Sequence, residues 1–407
     1  MSIDEILDQV LIPRPNGSEA LGRVASFIAA TLEDNGAEVT FHAFNATPHG
    51  FALVFGAALL MMLGYAAAVA QHRYATALVI AALTPLLLLL EFEWLVSPIS
   101  GLLPVIEHNV VGSFAGRDAG PTLIFCAHYD TTTHFGDHMS WGPWGWRLGP
   151  ATGLALGLAL FGLWRARRGR ALPRAFALPA AALVVVPYAA MAWFQTAGPL
   201  LRAPSPGALD NGGSVAALLR WSQALAARPD DAPTTVKLVF LAAEEERTLG
   251  SWAYAKTLGR DAPLAVINLE SLGAADALAY IAEDGFALRR YQSPAPLIAF
   301  VNATAESLWG APLAPKELPV GTLTDGRSFL AHGIPAVTLR SFTGDAFPRR
   351  LHSTHDSRDR LSVPALERST ELLQALVERV DADPSLVSKL APQPPAAQPP
   401  APAANEP

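Results

Sequence analysis

The stretch LVFLAAEEERTLGS, Leu238 to Ser251, joins an apolar run to three consecutive carboxylates. The run is typical of a buried strand. Glu244, Glu245 and Glu246 follow it directly, and crowded like charges destabilise a fold unless cations lie opposite them. Adjacent residues at a strand end can point to different sides. We therefore expect Glu244 and Glu245 to serve a cation-binding site in different ways, and Glu246 to be solvated at the surface.

Strand patterns and helix patterns alternate along most of the chain, which predicts an α/β fold with three layers: a mostly parallel central sheet with helices on both faces. The strand patterns are 37–44, 109–114, 122–127, 236–242, 265–269 and 336–339, with 109–114 and 122–127 expected to be neighbours. The helix patterns are 19–35, 212–227, 295–308 and 363–380.

Four apolar runs interrupt this alternation, at 51–70, 75–90, 149–164 and 175–201. The first is about as long as the roughly 20 residues that cross a bilayer, whereas the second and third also fit buried core helices. The runs pair into two hairpins with basic tips, which favours two inserted transmembrane helical hairpins. Trp141, Trp144 and Trp146 precede the third run, as expected of an interfacial aromatic belt.

The basic residues between the third and fourth runs predict a membrane orientation. Arg165, Arg167, Arg168 and Arg170 place this tip in the cytoplasm by the positive-inside rule. An even number of crossings then puts the remaining chain on the other side. The expected location is a bacterial inner membrane with an extracytoplasmic catalytic domain, although the acidic N-terminus is not typical of a signal peptide.

The net charge of −7 and the absence of a Lys/Arg-rich block in the polar segments give no reason to expect nucleic acid as a partner. The single cysteine, Cys126, excludes an internal disulfide framework and is expected to be a buried core thiol. The Pro/Ala-rich tail from Ala391 is expected to be extended and disordered.

Histidines and carboxylates follow the predicted strands repeatedly. His128 and Asp130 follow the strand at 122–127, Glu270 follows the strand at 265–269, and Asp210 precedes the helix at 212–227. The segment LHSTHDS, with His352, comes after the last strand. Because functional groups gather at the carboxyl ends of parallel strands, these side chains are expected to form a zinc site.

Six segments in order, AHYD, GALDNGGS, AAEEERTLGS, NLESLG, LTDGRSFLAHGIPAVTL and LHSTHDS, resemble the co-catalytic di-zinc aminopeptidases. That superfamily also holds glutamate carboxypeptidase and the transferrin receptor ectodomain. The resemblance implies a metallo-exopeptidase that hydrolyses peptides at the N-terminal residue with two Zn²⁺ ions. Its expected partners are a peptide substrate and, from the apolar hairpins, the lipid bilayer.

The resemblance also implies a role for each matching residue. His128 and Glu270 ligate one zinc, Glu245 and His352 the other, and Asp210 bridges both. Glu244 is the general base, and Asp130 accepts from the second ring nitrogen of His128, which orients the imidazole. Asp325 and Phe329 match a stretch expected to shape the substrate pocket.

Several alternatives remain open at this stage. His355 competes with His352 as the ligand, and His134, Asp137 and His138 are expected to be rim or juxtamembrane residues. A mono-zinc glutaminyl cyclase-like acyltransferase and a non-catalytic scaffold or receptor are the competing functions. A transporter is disfavoured because the apolar runs contain no internal charge that would mark an ion path.

The same reading divides the chain into segments. Residues 1–47, 101–140 and 204–385 are expected to build the catalytic domain. The hairpins occupy 48–100 and 141–203, and the tail begins at 386. The second hairpin starts and ends close to Asp130 and Asp210, so it is expected to roof the active site.

Overall fold

The computed structural model describes residues 1–117, 120–136, 145–229, 231–259, 262–274, 277–319, 321–342 and 348–391. Trp141, Trp144, the side chain of Trp146 and residues 392–407 of the tail lie outside this description, so the predictions for them stay predictions.

Helices and strands alternate through the described residues, apart from the paired apolar helices. The helices are α1 (Ile3–Val10), α2 (Glu19–Asp34), α3 (Gly50–Ala70), α4 (Tyr74–Leu88), α5 (Gly145–Arg167), α6 (Arg174–Leu201), α7 (Gly213–Leu225), α8 (Leu249–Ala255), α9 (Ala295–Trp309), α10 (Gly326–Ala331), α11 (Val363–Ala382) and α12 (Leu386–Lys389). The strands are β1 (Glu38–Ala46), β2 (Val105–Phe114), β3 (Thr122–His128), β4 (Thr235–Leu241), β5 (Leu264–Glu270), β6 (Ala277–Ile281), β7 (Glu283–Gly285), β8 (Arg290–Gln292), β9 (Ala314–Lys316) and β10 (Ala336–Phe342).

Serine side chains begin three of the amphipathic helices. Ser18 Oγ accepts from the N–H of Leu21 at the start of α2, and Ser362 Oγ accepts from that of Ala365 at the start of α11. Ser2 and Glu5 form a reciprocal capping box on α1. These contacts satisfy backbone donors that a first helical turn leaves unpaired.

Eight strands form one sheet in the order β1-β2-β4-β3-β5-β10-β6-β9, and β7 pairs with β8 separately. The four central strands, β4, β3, β5 and β10, are parallel. β1 pairs antiparallel with β2, β2 with β4 and β6 with β10, whereas β9 pairs parallel with β6. The mixed α/β fold with a large, mostly parallel sheet is therefore as predicted.

The expectation that 109–114 and 122–127 are adjacent strands was wrong, because β4 lies between β2 and β3. Every residue of β3 after Thr122 is buried, whereas the first four residues of β2 are partly exposed. A strand apolar on both faces is stabilised most in the middle of a parallel sheet, and a partly polar strand fits nearer the edge.

Helices cover both faces of the sheet. Leu123 and Phe125 of β3 pack in a core shared with α1, α2, α7, α9 and α11. Ile124 and Cys126 pack on the opposite face with residues of α8 and α10. Cys126 is fully buried, as predicted.

The apolar runs form helices α3 to α6, which pack together around a core of their own. Four helices of the described residues are long and apolar enough to cross a membrane: Gly50–Ala70, Tyr74–Glu93, Arg147–Arg167 and Arg174–Leu201. Within the bundle, Tyr65 donates its hydroxyl to the carbonyl of Ala155 at 3.0 Å. At the tips, the N–H of Leu172 donates to the hydroxyl of Tyr74 at 3.1 Å, so both tips lie at one end.

Two buried acids attach the bundle to the sheet domain. Glu91 lies 2.8 Å from Nη1 of Arg247, and both side chains are buried. Glu93 accepts the backbone N–H groups of Ala287, Leu288 and Arg289 at 2.6–3.2 Å. The helical turn Leu89–Glu93 that closes the second apolar run is thus held by charge-assisted contacts.

The Glu91–Arg247 ion pair yields a stability prediction. Arg247→Leu should destabilise the detergent-solubilised protein by about 3–5 kcal/mol, because it leaves the Glu91 carboxylate buried without its counter-charge. Differential scanning calorimetry in detergent measures the change, and the double variant Glu91→Leu/Arg247→Leu should recover most of the lost stability.

Arg358→Ala is the matched control, since Arg358 forms only exposed ion pairs with Asp4 and Asp8. Its loss should change stability by no more than about 1 kcal/mol. Equal effects of Arg247→Leu and Arg358→Ala would contradict a structural role for the buried pair.

Candidate metal centre

Five side chains converge at the carboxyl ends of the central strands. His128 ends β3, Glu270 ends β5 and Glu245 follows β4. Asp210 lies in the turn before α7, and His352 lies in the loop after β10. The chain leaves β3 for β4 on one side and reaches β5 on the other, and such a switch point forms the crevice where α/β sheets bind ligands.

Asp210 lies between the two histidines. Its Oδ1 is 3.2 Å from Nε2 of His128, and its Oδ2 is 2.8 Å from Nε2 of His352. His352 Nε2 is also 3.1 Å from Oε2 of Glu245, and His128 Nε2 is 3.8 Å from Oε1 of Glu270. Each oxygen of Asp210 therefore faces a different histidine, as a bridging carboxylate would.

Two groups with metal-ligand chemistry share Asp210. In each group the three ligand atoms lie within 4.8 Å of one another; the groups are His128–Asp210–Glu270 and Asp210–Glu245–His352. Imidazole nitrogen and carboxylate oxygen are typical zinc ligands. The structure thus brings together the five residues predicted as ligands, and His355, the alternative to His352, is exposed.

The charges of the cluster fit a bound cation. Burial lowers the pKa of His352, but Glu245 and Asp210 outweigh burial and raise it to about 10. Burial raises the pKa of Glu245 to about 7 against the opposing effect of His352. Among the described residues, Oε1 of Glu245 and Oε2 of Glu270 have no hydrogen-bond partner. Buried carboxylate oxygens of this kind are stabilised by coordination to a metal ion.

Glu244 lies beside these five residues. Its Oε2 is 4.0 Å from Nε2 of His128, and its side chain is 12% exposed. Burial raises the pKa of Glu244 well above its usual range; His128 lowers it, and the carboxylates of Glu270 and Asp325 raise it further. A carboxyl group with a raised pKa can accept and return a proton near neutral pH.

Asp130 lies beside a candidate ligand and holds the backbone of the candidate base. Its Oδ1 lies 3.4 Å from Nδ1 of His128, which has no hydrogen-bond partner among the described residues, so the two predicted partners are adjacent without forming the predicted hydrogen bond. It also accepts the backbone N–H groups of Glu244 and Glu245, each at 3.2 Å. Asn16 donates to Asp130 at 2.8 Å and accepts the N–H of Ala243 at 3.1 Å. Sequence reasoning missed Asn16, which precedes the first strand and belongs to none of the motifs.

Arg14 is a second residue that the sequence did not reveal. It is fully buried, and its guanidinium donates to the carbonyls of Tyr129, Pro206 and Gly207 at 2.5–3.2 Å. It therefore ties the segment of Asp130 to the segment of Asp210. Contacts to backbone carbonyls leave no pattern in the amino-acid sequence.

Two further residues hold the ligand loops. Asp356 accepts the N–H groups of Leu209 and Asp210 at 2.8 and 3.1 Å. Asn211 donates to the carbonyl of Leu269 at 2.8 Å and accepts the N–H of Ser271 at 3.0 Å. The segments that carry Asp210 and Glu270 are thereby joined beneath the site.

Left-handed backbone occurs at three non-glycine residues of the site. Ala243 has a φ of 56°, Ser271 of 50° and His352 of 56°. Ala243 precedes Glu244, and Ser271 follows Glu270. Such conformations cost of order 1–3 kcal/mol each and persist where the surroundings hold them, as they do at many functional sites.

A comparison with known protein families points to the same residues. Residues 190–377 match the model of Peptidase family M28, a zinc peptidase family. This match contains Asp210, Glu244, Glu245, Glu270 and His352. It confirms the family resemblance read from the motifs. Residues 190–377 are therefore similar to peptidase family M28.

Several solved structures share the fold of this protein over most of the chain. A Zn-dependent exopeptidase from Parabacteroides distasonis has 15% sequence identity and a TM-score of 0.54, covering 92% of this chain and 96% of that one. Porphyromonas gingivalis glutaminyl cyclase has 17% identity and a TM-score of 0.53, covering 93% and 98%. An aminopeptidase from Aneurinibacillus sp. strain AM-1 has 13% identity and a TM-score of 0.53, covering 93% of each. No curated protein sequence matches the chain.

His134 belongs to the M28 site rather than to its rim, so that expectation was wrong. Its side chain is buried, and its Nδ1 lies 2.9 Å from Nδ1 of His352. The loop of His134 packs against the end of α6, where Phe194 lies 4.7 Å away between ring centroids. This packing, invisible in the sequence, carries His134 inward. Asp137 and His138 lie outside the described residues.

Glu246 is not solvated, which corrects the expectation from the sequence. It is buried and accepts the N–H of Thr47 at 2.6 Å, because the chain entering α3 covers it. Burial raises its pKa to about 8, against the opposing effect of that N–H group. A third acid beside the M28 ligands is thus enclosed by the first hairpin.

Asp325 and Phe329 lie beneath the M28 site, and neither is among the described residues that line its cavity. Both are fully buried, and Phe329 packs edge-to-face against Tyr254 at 6.5 Å in the sheet core. Burial raises the pKa of Asp325 to about 7, with His128 opposing. Neither side chain therefore shapes the pocket by lining it.

A cavity of about 490 Å³, called the chamber below, opens from the metal centre toward the helix bundle. Glu244, Glu245 and His352 line one end. Residues from each of α3 to α6 line the rest, among them Phe55, Pro85, Gly149 and Met191. The prediction that the hairpins roof the M28 site is confirmed by this lining.

The contacts of Asp130 yield a prediction about the affinity for zinc. Asp130→Ala should weaken zinc binding by roughly 10–100-fold, the usual effect of removing a partner that orients a ligand. Competition with a chelating dye measures the affinity. Asp231→Ala is the matched control, since Asp231 forms only an exposed ion pair with Arg117. Unchanged affinity in Asp130→Ala would contradict its orienting role.

Proposed function

We propose that this protein is a membrane-embedded aminopeptidase that removes N-terminal residues from peptides with two zinc ions. The observation that carries the proposal is the pair of ligand groups that share Asp210, with Glu244 free beside them. Two ligand groups that share one carboxylate can bind two metal ions. The M28 match of residues 190–377 supports peptide hydrolysis by such a site.

Each residue has a distinct role in the proposed reaction. His128 and Glu270 would hold one zinc ion, Glu245 and His352 would hold the second, and Asp210 belongs to both ligand groups. When bound, zinc lowers the pKa of water and polarises a carbonyl group. Glu244 accepts the proton of the attacking water and delivers it to the amine that leaves. Asp130 keeps the backbone of Glu244 and Glu245 in place while the proton moves.

The two alternative functions, cyclase and scaffold, differ from this proposal in the residues that the site needs. A mono-zinc cyclase needs one ligand group, and a scaffold needs no base. The chain has both ligand groups and Glu244 in a position to act on a substrate, which favours hydrolysis. The aminopeptidase assignment is therefore preferred over either alternative.

Membrane embedding is the second part of the proposal. The outward faces of α3 to α6 expose large apolar side chains, among them Leu60, Leu83, Leu183 and Val186, each at least 48% exposed. Such a surface is costly in water and stable in a bilayer. Both tips lie at one end of the bundle, and Arg165, Arg167, Arg168 and Arg170 belong to that end. The positive-inside rule then favours a catalytic domain outside the cytoplasm.

Removing the base should separate metal binding from catalysis. Glu244→Gln should lower hydrolysis of aminoacyl-coumarin substrates by about 10²–10⁴-fold, the usual contribution of a general base. Elemental analysis should still find two zinc ions per chain. A chelator should abolish hydrolysis in the parent protein, and added zinc should restore it.

Glu367→Gln, an exposed change on α11, is the matched control and should keep full activity. The same preparations are incubated with peptides that begin with glutamine, and pyroglutamate formation is measured by mass spectrometry. Cyclisation without hydrolysis would replace the aminopeptidase proposal by the cyclase alternative. Two bound zinc ions with neither activity would favour the scaffold.

Thiol labelling tests the proposed orientation. Cys126 is fully buried, so cysteines introduced at exposed Arg168 and Ser385 can be labelled against a low background. In intact spheroplasts an impermeant maleimide should label Ser385→Cys, whereas Arg168→Cys should react only after permeabilisation. The reverse pattern would place the catalytic domain in the cytoplasm, and equal labelling of both would contradict a membrane-spanning bundle.

A further inference from the structure

The chamber has a polar end at the candidate metal centre, and the rest of its lining is mostly apolar. The polar exceptions are Arg247, Arg340, Thr152, Gln195 and Thr322. Its polar end holds the side chains of the metal centre and Glu244. Its opposite walls are built by aromatic and aliphatic side chains from the bundle, including Phe51, Phe55, Leu88 and Met191. Loops of the sheet domain add Phe286, Leu318 and Leu351. A peptide backbone or a charged side chain extended along these apolar walls would lose its hydration and gain few hydrogen bonds in return.

The size of the chamber exceeds the needs of one ordinary residue. Its volume of about 490 Å³ falls within the roughly 300–1,000 Å³ of pockets that enclose a drug-sized ligand. Phe55 and Phe92 line it with ring centroids 5.5 Å apart, so part of the wall is a packed aromatic surface. A long flexible apolar chain fills such a space more completely than a single leucine side chain would.

The position of the chamber suggests where this apolar chain comes from. The helix residues that line it lie at the ends of α3 to α6 that face the sheet domain, for example Phe51 at the start of α3 and Gln195 near the end of α6. The outer faces of the same helices are apolar and exposed. Leu288, in a loop of the sheet domain, also lines the chamber and is 68% exposed. The cavity therefore adjoins the surface that the proposed bilayer would cover.

We propose that the substrates are amphiphiles that reach the site from the bilayer: peptides or amides with a long alkyl or acyl chain next to the scissile bond. The polar head lies at the metal centre beside Glu244, and the apolar chain lies in the chamber. This inference rests on the proposed function for the chemistry, and on the chamber walls for the choice of substrate.

Gly149 offers a way to shorten the chamber. It lies on α5 and lines the cavity, and a Cβ added there would meet no atom within 4 Å. Gly149→Phe should therefore project a ring into the chamber. Gly153, one turn further along the same helix, has equally open surroundings but is not among the lining residues, so Gly153→Phe is the matched control.

Phe55 allows the opposite change. Phe55→Ala removes an aromatic ring from the chamber wall and should lengthen the chain that can be accommodated. Leu60→Ala on the same helix is its control, since Leu60 is 69% exposed on the outer face. Because the two chamber variants should act in opposite directions, a general loss of folding cannot produce the expected pattern.

The first measurement is the affinity of zinc-loaded protein for a series of n-alkyl hydroxamates with about 2 to 10 carbons, by isothermal titration calorimetry at fixed detergent concentration. The parent protein and Gly153→Phe should bind about fourfold more tightly for each added methylene, as expected from ~0.8 kcal/mol per buried CH₂. In Gly149→Phe the increase in affinity should stop at a shorter alkyl chain than in the parent protein. In Phe55→Ala it should continue to a longer alkyl chain. Equal chain-length profiles in all variants would overturn the proposal.

The second measurement does not depend on zinc. A photoreactive n-decylamine should label peptides of α3 and α6 that line the chamber, in apo protein as well as in zinc-loaded protein, and labelling should fall in Gly149→Phe but not in Gly153→Phe. Labelling confined to the outer faces of the helices would overturn the chamber assignment. If the chamber is labelled but the zinc-loaded parent protein hydrolyses no substrate, only the proposed function would be contradicted.

Discussion

The concentration of buried charge at the carboxyl edge of the sheet is the constraint on which the rest of the structure depends. Asp210, Glu245 and Glu270 lie close to one another and to His128 and His352 in a largely buried space. Backbone and side-chain donors hold these segments from outside the cluster, through Asp130, Asp356, Asn211 and Arg14. None of these contacts neutralises the ligand carboxylates themselves. A bound cation would supply positive charge opposite these carboxylates and would stabilise the arrangement.

The same edge of the sheet is where the chain attaches its apolar helices. Glu91 and Glu93 end the second apolar run and bind Arg247 and the loop Ala287–Arg289. Arg247 comes directly after Glu246. The ion pair that attaches the bundle and the candidate ligand Glu245 therefore belong to the same short segment. The bundle is thereby held against the catalytic residues. The candidate site therefore opens to a mostly apolar chamber, and such a lining favours ligands with apolar groups.

Much of the site could be predicted because its residues occur directly at strand ends. His128, Glu245 and Glu270 follow apolar runs, and the ends of parallel strands meet in space whatever the details of packing. Asn16, Arg14 and His134 could not be predicted, since each reaches the site through a loop whose path depends on distant neighbours. Glu246 was misjudged for the same reason: the strand pattern assigns it to the surface, and only the chain entering α3 covers it.

The amino-acid sequence by itself determined the α/β alternation, the four apolar helices and the identity of the five candidate ligands. Local periodicity and strand-end position are properties of neighbouring residues, so they can be read along the chain. Only the tertiary structure decided that β4 separates β2 from β3, that Asp130 accepts the backbone N–H groups of Glu244 and Glu245, and that His134 and Glu246 are buried beside the site. These features depend on contacts between residues more than a hundred positions apart, where burial and hydrogen bonding decide between arrangements that the local pattern allows equally.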